Sequence, residues 1–263
     1  VARYGAPVVR RPPTPAELAD PETCVVDIGD DHCAERMNFD HHQFPRDHTP
    51  TCSISLVLQH FGLYADARLF CDWLEAAEWL DARGPGRTAE WMGVSRQVVD
   101  RLTSPIDIAL LRRFSASAEL APGQPLYEAM RMVGEELIEF LTATRARNDF
   151  VAAHAEIWKL SKETESFEVI FLPRTDPLPQ DPSGDLERYV RTARLNARIV
   201  ALVYPDRRSG GFGLARFEDH PRLDFCKVAT QPDVHFTHKS GFLCKTSATS
   251  AERLQELILS AWG

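Results

Sequence analysis

The sequence predicts an α/β protein in two lobes, and three features support this. In the N-terminal part, a short β-branched run that ends at Asp27 is followed by amphipathic helical patterns. A long helical stretch comes next, and strand-like runs separated by Pro- and Gly-rich loops predominate from about residue 165. We therefore expect a first domain over residues 1–115, a helical connector over 116–164 and a smaller, mixed α+β domain over 165–263.

Each element of the N-terminal half follows from its periodicity and from the Gly and Pro residues at its ends. Val25 and Val26 are the centre of the first strand. Thr49 or Thr51 is expected to cap the helix that follows, and Gly84-Pro85-Gly86 should end the next one. Apolar residues at helical spacing predict helices over residues 54–61, 66–82, 106–114 and 126–144, with residues 149–162 as an extension of the last after a break.

The C-terminal elements alternate strands and helices. Two strands, 197–204 and 211–217, should pair across the loop at 206–210. The final helix should be capped by Thr249 or Ser250. The other predicted elements are a strand over 167–172, a short helix over 186–195 and the final helix over 248–262.

Composition restricts the class of protein. The chain has 263 residues and a formal net charge of −8, from 30 Lys and Arg against 38 Asp and Glu. This acidity argues against coating of duplex nucleic acid, which needs a basic stripe, but it allows an enzyme that grips a few nucleotides. No run approaches the roughly 18 apolar residues of a membrane span, so we expect no membrane partner. Six cysteines without a C-x-x-C pair favour reduced thiols and a cytoplasmic location.

The sharpest local feature is Asp40-His41-His42, which lies in a stretch rich in histidine. Carboxylate and imidazole together suit Mn²⁺, Fe²⁺ or Zn²⁺, and carboxylate-rich sites favour Mn²⁺ or Mg²⁺. Asp27 at the end of a strand and Asp81 before the glycine turn are further candidate ligands. Asp81 could instead be a helix-end residue, with Asp72, Glu75 and Glu78 as competing acidic neighbours. The residue types alone equally allow Asp40 to cap a turn beside two solvated histidines.

A second candidate site is the segment His238-Lys239-Ser240-Gly241. Its imidazole, ammonium, hydroxyl and glycine could form an anion-binding turn, with the glycine allowing close backbone approach. An ordinary tight turn is the alternative. A structural zinc site that uses Cys24, Cys33 and Cys52 matches no known zinc spacing.

Several of these segments together resemble the DHH phosphoesterase superfamily. Val25-Val26-Asp27-Ile28-Gly29 and Asn38-Phe39-Asp40-His41-His42-Gln43 are similar to its first motifs. The closest resemblance is to the branch named after the melanocyte proliferating gene product, once described as metal-dependent protein hydrolases. Val203-Tyr204-Pro205 and His238-Lys239-Ser240-Gly241-Phe242 resemble the C-terminal sheet and the His-x-Ser-Gly-Phe signature of that branch. Asp81 resembles a further motif, although the family has Asp-Asn-Gly where this chain has Asp81-Ala82-Arg83-Gly84.

The resemblance implies an N-terminal DHH-type domain with a parallel sheet, and a role for each matching residue. Asp27 and His41 would bind the metal. Asp40 would either bind the metal as well or orient His41. His42 would face the scissile phosphate as a catalytic residue. The last metal ligand would be Asp81. Substrate phosphate would be bound by His238, Lys239, Ser240 and Gly241.

The resemblance also implies a cofactor and a reaction. Metal-activated hydroxide would attack a phosphodiester in line at a two-ion site, with Mn²⁺ as the expected ion and Mg²⁺ or another divalent cation as an alternative. The branch suggests a 3′→5′ exonuclease acting on RNA, and the acidity of this chain favours short or single-stranded nucleic acid or nucleotide substrates. The alternative is a non-catalytic binding or regulatory homologue. The oligomeric state is open, with a homodimer as one option.

One departure from the family bears on these expectations. The family opens with a strand and a His-x-Gly-x-Phe-His-x-Asp motif that supplies further metal ligands, and no such segment occurs here. Our hypothesis is that the chain as given lacks a first strand–helix unit of about 30 residues. A shortened, inactive homologue is the rival explanation.

Overall fold

A computed structural model describes all residues from Val1 to Gly263 and has a mixed α/β fold, which confirms the predicted class. The chain divides into two compact units, Val1–Ala143 and Thr144–Gly263. No helix combines the length and the apolar character needed to cross a membrane.

The first unit is mainly helical, with short strands. Its strands are β1 (Val8–Val9), β2 (Val25–Val26), β3 (His32–Cys33), β4 (Asn38–Phe39) and β5 (Glu119–Leu120). Its helices are α1 (Pro15–Ala19), α2 (Ser53–His60), α3 (Tyr64–Phe70), α4 (Asp72–Met92), α5 (Arg96–Asp100), α6 (Pro105–Ala116) and the N-terminal part of α7 (Pro125–His154).

The strands of this unit form two small sheets. β2 pairs in parallel with β4, which pairs antiparallel with β3, while β1 pairs antiparallel with β5. In the β2–β4 register, Val26 lies opposite Phe39. Because the two strands are parallel, the residues that follow them, Asp27 and Asp40, emerge at the same edge of the sheet.

Two predictions about the helices of this unit are wrong, and one is confirmed. The predicted helix over 66–82 is divided at Cys71 into α3 and α4. The N-cap of α2 is Cys52 rather than Thr49 or Thr51, and the Thr51 hydroxyl donates instead to the Thr49 carbonyl. The helical segment that begins at Asp72 ends at Gly84-Pro85-Gly86 as predicted, because Gly84 leaves helical geometry with φ +73°, and a second helical segment of α4 then runs to Met92. Glycine adopts this backbone without strain, and Pro85 then occupies the first turn of the second segment, where no amide donor is needed.

The second unit is built on one six-stranded sheet. Its strands are β6 (Glu156–Lys162), β7 (Glu165–Phe171), β8 (Ile199–Pro205), β9 (Phe212–Arg216), β10 (Val234–Thr237) and β11 (Leu243–Thr246), in the order β10-β11-β9-β8-β7-β6. Only β7 and β8 pair in parallel. The helices of this unit are the end of α7, α8 (Pro182–Thr192) and α9 (Ala251–Ala261).

Both faces of this sheet are covered by apolar side chains. One cluster joins Val169 and Val203 to Leu257 of α9, and the other joins Ile170 and Leu202 to Leu186 of α8. Alternate residues of a strand point to opposite faces, so each central strand contributes to both clusters. The β8–β9 pairing and the Ser250 cap of α9 confirm the predictions for this region.

One prediction for the second unit is wrong. Residues 156–162 do not extend the helix, because α7 ends at His154 and these residues form β6. Trp158 and Leu160 alternate with exposed residues along the strand and are buried in the cluster below α9. Pairing with β7 therefore outweighs the helical pattern of the preceding segment.

Candidate metal centre

Asp27 and Asp40 lie side by side at the carboxyl ends of β2 and β4. The Asp27 amide donates to the Phe39 carbonyl at 3.1 Å, which continues the parallel ladder by one residue. Asp27 then turns out of the strand with φ +64°, a left-handed conformation that Asp adopts more readily than most residues. The side chain of Asp27 is 57% exposed, whereas Asp40 is buried.

His41 lies between two carboxylates. Its Nε2 is 3.3 Å from Oδ1 of Asp27 and 3.0 Å from Oδ2 of Asp81, which comes from α4. Neither contact has hydrogen-bond geometry, and this buried nitrogen has no hydrogen-bond partner. A buried imidazole nitrogen in this position could share a divalent cation with the two carboxylates.

Both oxygens of Asp40 accept hydrogen bonds. Oδ1 accepts the backbone amides of His41 at 2.7 Å and His42 at 3.2 Å, and it lies 2.5 Å from Nδ1 of His42. Oδ2 accepts the Asp30 amide at 2.8 Å. The side chain of Asp40 therefore holds the backbone of the loop and the His42 ring in one orientation.

The charges of the cluster influence one another. Burial raises the pKa of Asp40, but the hydrogen bonds from His42 outweigh it and leave that pKa below its usual value. The same hydrogen bond raises the pKa of His42. Burial also raises the pKa of Asp81, an effect that neighbouring His41 opposes and Asp27 reinforces.

The structure adds Ser53 to the predicted set. This residue opens α2, and its hydroxyl donates to Oδ1 of Asp27 at 2.8 Å, the oxygen that faces His41. In the sequence, Ser53 is one of several hydroxyl residues near the start of a helix. No local signal distinguishes Ser53 from a capping residue, and only its hydrogen bond to Asp27, 26 residues earlier in the chain, identifies it.

Glu78, an acidic residue that competes with Asp81 in the sequence, lies three residues before it in α4 and has a structural role. Its carboxylate is buried and accepts hydrogen bonds from Ser55 in α2 and from Tyr64 and Arg68 in α3. Burial and the contact with Glu78 raise the pKa of Tyr64 to about 12. This network fixes the part of α4 that carries Asp81 against two neighbouring helices.

The predicted ligands of the first unit are therefore brought together. One ligand atom each from Asp27, Asp40, His41 and His42 lies within 4.8 Å of all the others. Asp81 joins this cluster through its contact with His41, and no cysteine belongs to it. Carboxylate and imidazole donors in this ratio fit Mn²⁺ or a similar divalent cation.

The predicted phosphate-binding residues lie on the loop between β10 and β11 of the second unit. The Ser240 amide donates to Nδ1 of His238 at 3.2 Å, so in the neutral ring the proton is on Nε2, which remains a donor. Gly241 has φ +66°, and a Cβ there would lie 1.9 Å from Oδ1 of Asp224. Glycine is therefore required at this position, and Lys239 and Ser240 are exposed beside it.

Comparisons of the chain with protein-family models, with curated proteins and with solved structures find no significant match. The resemblance to DHH phosphoesterases consequently rests on the sequence motifs and remains a prediction.

Proposed function

We propose that the chain is a divalent-metal-dependent phosphodiesterase of the DHH type, with the first unit as its metal-binding domain and the second as its substrate-binding domain. The observation that carries this proposal is the position of His41. Its buried Nε2 faces oxygens of Asp27 and Asp81 at 3.3 and 3.0 Å without a hydrogen bond to either. A cation shared by these three atoms accounts for the arrangement.

The charge of the cluster supports a cationic cofactor and a phosphate substrate. Asp27, Asp40 and Asp81 together would repel a phosphodiester in a partly buried site. A bound divalent cation supplies the compensating charge and an acidified water as nucleophile. Following the resemblance, we propose Mn²⁺ as the ion, in a two-ion site.

The side chains of the cluster then have distinct roles. Asp27, His41 and Asp81 hold the cation, and Ser53 orients Asp27 through its 2.8 Å hydrogen bond. Asp40 has both oxygens occupied by hydrogen bonds, so we assign it to orienting the two histidines. His42 is 55% exposed and is held at Nδ1 by Asp40, which leaves Nε2 to contact the scissile phosphate.

The substrate class follows from the second unit and from the net charge. The His238 Nε2–H group, the Lys239 ammonium and the Ser240 hydroxyl suit a phosphate group. The Gly241 amide donates to the His238 carbonyl at 2.8 Å, so the role of Gly241 is to shape this turn. A net charge of −8 argues against coating of a long duplex, so short or single-stranded substrates fit best. Following the resemblance, we propose 3′→5′ removal of nucleotides from RNA.

The test combines metal binding with cleavage. Calorimetric titration of the chain with Mn²⁺ should show binding that is lost in His41→Ala and in Asp81→Asn, because each removes a ligand. His235→Ala, an exposed histidine of the second unit, is the matched control and should bind as the wild type does. In parallel, a short single-stranded RNA labelled at its 5′ end should be shortened stepwise in Mn²⁺.

Each outcome has a definite meaning. Loss of Mn²⁺ binding in both ligand variants but not in the control supports the metal centre. A ladder of progressively shorter RNA fragments that keep the 5′ label supports the 3′→5′ direction of cleavage. Absence of Mn²⁺ binding in the wild-type chain would overturn the metal centre. Binding without cleavage of RNA, single-stranded DNA or dinucleotides would favour the non-catalytic alternative.

A further inference from the structure

Helix α6 is fully formed but has no buried residue. Ser104 and Asp107 form a capping box at its start, and Pro105 occupies its first position, so local chemistry stabilises the helix. Its large apolar side chains nevertheless remain in solvent: Ile106 is 71% exposed, Leu110 43% and Leu111 62%. Apolar helix faces of this kind mark interaction surfaces in soluble proteins.

The helix is fixed in this exposed position at its C-terminal end. The guanidinium of Arg10 donates to the carbonyls of Phe114 at 2.9 Å and Ser115 at 2.8 Å, and it lies 4.7 Å from the centroid of the Phe114 ring. The β1–β5 pairing holds the adjoining segment. α6 is therefore a fixed projection from the first unit, and its apolar face is presented outward.

The same unit contains an unfilled apolar groove of about 590 Å³. It is formed by the α3–α4 junction and by α7, and its apolar lining includes Phe70, Trp73, Leu137 and Phe140. Trp73 is 47% exposed and Phe140 38%. No residue of α6 lines this groove, so the chain does not fill it with its own helix.

Helix and groove are complementary in charge as well as in polarity. Arg113 follows Leu110 by three residues and so lies on the same face of α6, and Arg112 is next to it. The groove carries acidic side chains of Asp72 and Glu136 among its apolar lining. A basic, apolar helix and an acidic, apolar groove match the helix-in-groove mode of recognition.

We propose that α6 of one copy of this chain binds the groove between α3, α4 and α7 of a second copy. A second copy of the chain suits the groove because each chain carries both complementary surfaces. Arg10 holds α6 away from the groove of the same chain. Reciprocal insertion of two helices closes a two-fold dimer with two equivalent contacts. This inference is independent of the proposed function, because it involves none of the residues of the metal centre.

Sedimentation velocity of the full chain tests the proposal. We expect the wild type to sediment at twice the monomer mass of 29.6 kDa at micromolar concentration. Leu110→Glu on the helix and Trp73→Glu in the groove should each give monomers, since both place a charge in the apolar contact. Ile157→Glu is the matched control, because Ile157 is 39% exposed on β6 of the second unit, and this variant should remain dimeric.

A charge exchange tests the orientation of the contact. Arg113→Glu and Glu136→Arg should each weaken the dimer by about tenfold or more in Kd, and the double variant should recover much of this loss. Circular dichroism should show unchanged helix content in every variant, because all the altered side chains are largely exposed. A monomeric wild type at 100 μM, or a dimer that survives both Leu110→Glu and Trp73→Glu, would overturn the proposal.

Discussion

Asp40 shows how one side chain organises the proposed centre. Its two oxygens accept three backbone amides and contact one imidazole, so the loop after β4 has a single arrangement. Each of those hydrogen bonds is made to a charged acceptor, which is the stronger class of hydrogen bond. The positions of His41 and His42 consequently depend on a carboxylate that need not touch the cation.

Asp206 has an analogous structural role in the second unit. It follows β8, and its carboxylate accepts hydrogen bonds from the Lys245 ammonium at 3.0 Å and the Ser209 amide at 3.1 Å. Burial alone would raise the pKa of Asp206, but these hydrogen bonds outweigh it and lower the pKa to about 2. A carboxyl group with a lower pKa in the folded state than in the unfolded state stabilises the folded protein. This contribution is fully present at pH values above the pKa of the unfolded state, and it is lost as the pH falls through the pKa of the folded state.

We therefore expect Asp206→Asn to lower the free energy of unfolding by about 2 kcal/mol at pH 7. The difference from wild type should shrink as pH falls from about 4 towards 2, and urea denaturation at several pH values measures it. The control is Asp219→Asn, because the Asp219 side chain is 91% exposed, and this change should stay within about 0.5 kcal/mol. A difference that does not vary with pH would contradict the electrostatic role.

Glu75 and Glu78 provide a matched comparison, because both contact Arg68. Glu75 is 46% exposed in its ion pair, whereas Glu78 is 3% exposed and also accepts from Ser55 and Tyr64. We expect Glu78→Ala to lower the free energy of unfolding by about 3 kcal/mol, because buried donors lose their acceptor. Glu75→Ala should cost about 0.5 kcal/mol or less. Equal losses in chemical denaturation would contradict a buried network.

At the scale of the element, α4 combines two helical segments across Gly84. A Cβ at Gly84 or at Gly86 would meet no atom within 4 Å, so steric contact does not distinguish the two glycines. Only Gly84 has a positive φ, +73°. The kink therefore depends on backbone conformation alone.

Alanine substitution separates these two positions. Gly84→Ala should lower the free energy of unfolding by about 1–2 kcal/mol, because an L residue is strained at this φ. Gly86→Ala should leave stability unchanged or raise it by about 0.5–1 kcal/mol, because alanine has the higher helix propensity. Thermal and urea unfolding of both variants measure this, and a destabilised Gly86→Ala variant would disprove the interpretation.

At the scale of the whole molecule, the two units differ in how their strands are stabilised. In the second unit, β8 is hydrogen-bonded to β7 and β9 and is buried under side chains of both α8 and α9. In the first unit, β2 and β4 are two residues long. Resistance to local opening increases with buried apolar contacts and with hydrogen bonds on both sides of a strand.

Native-state hydrogen exchange should therefore rank the strands. We expect the amides of β7 and β8 to exchange most slowly and those of β2 and β3 to exchange many times faster. The exposed edge strand β6 serves as an internal comparison, because its length equals that of β7 while it pairs on one side only. Protection of β2 equal to that of β8 would contradict this ranking.

Much of the fold was predictable because its signals are local. Regular apolar spacing predicted α2, α6 and α9, and a hydroxyl residue before an apolar run predicted the Ser250 cap. The paired strands β8 and β9 were predicted from β-branched runs around a polar loop. The error at residues 156–162 arose because this segment follows a helix in sequence, while its apolar residues alternate as in a strand.

The candidate site likewise combines residues that the sequence suggested with contacts that only the tertiary structure determined. Residue type and position suggested Asp27, Asp40, His41, His42 and Asp81 as candidates, and only the resemblance to DHH phosphoesterases gave them roles. Other features were determined only by tertiary packing: the contact of the Asp81 carboxylate with His41, the hydrogen bond from Ser53 to Asp27, and the exposure of the apolar face of α6. A sequence pattern specifies neighbours within a few residues, whereas contacts between α2, α4 and β2 depend on how the chain closes, and that closure is set by burial summed over many side chains.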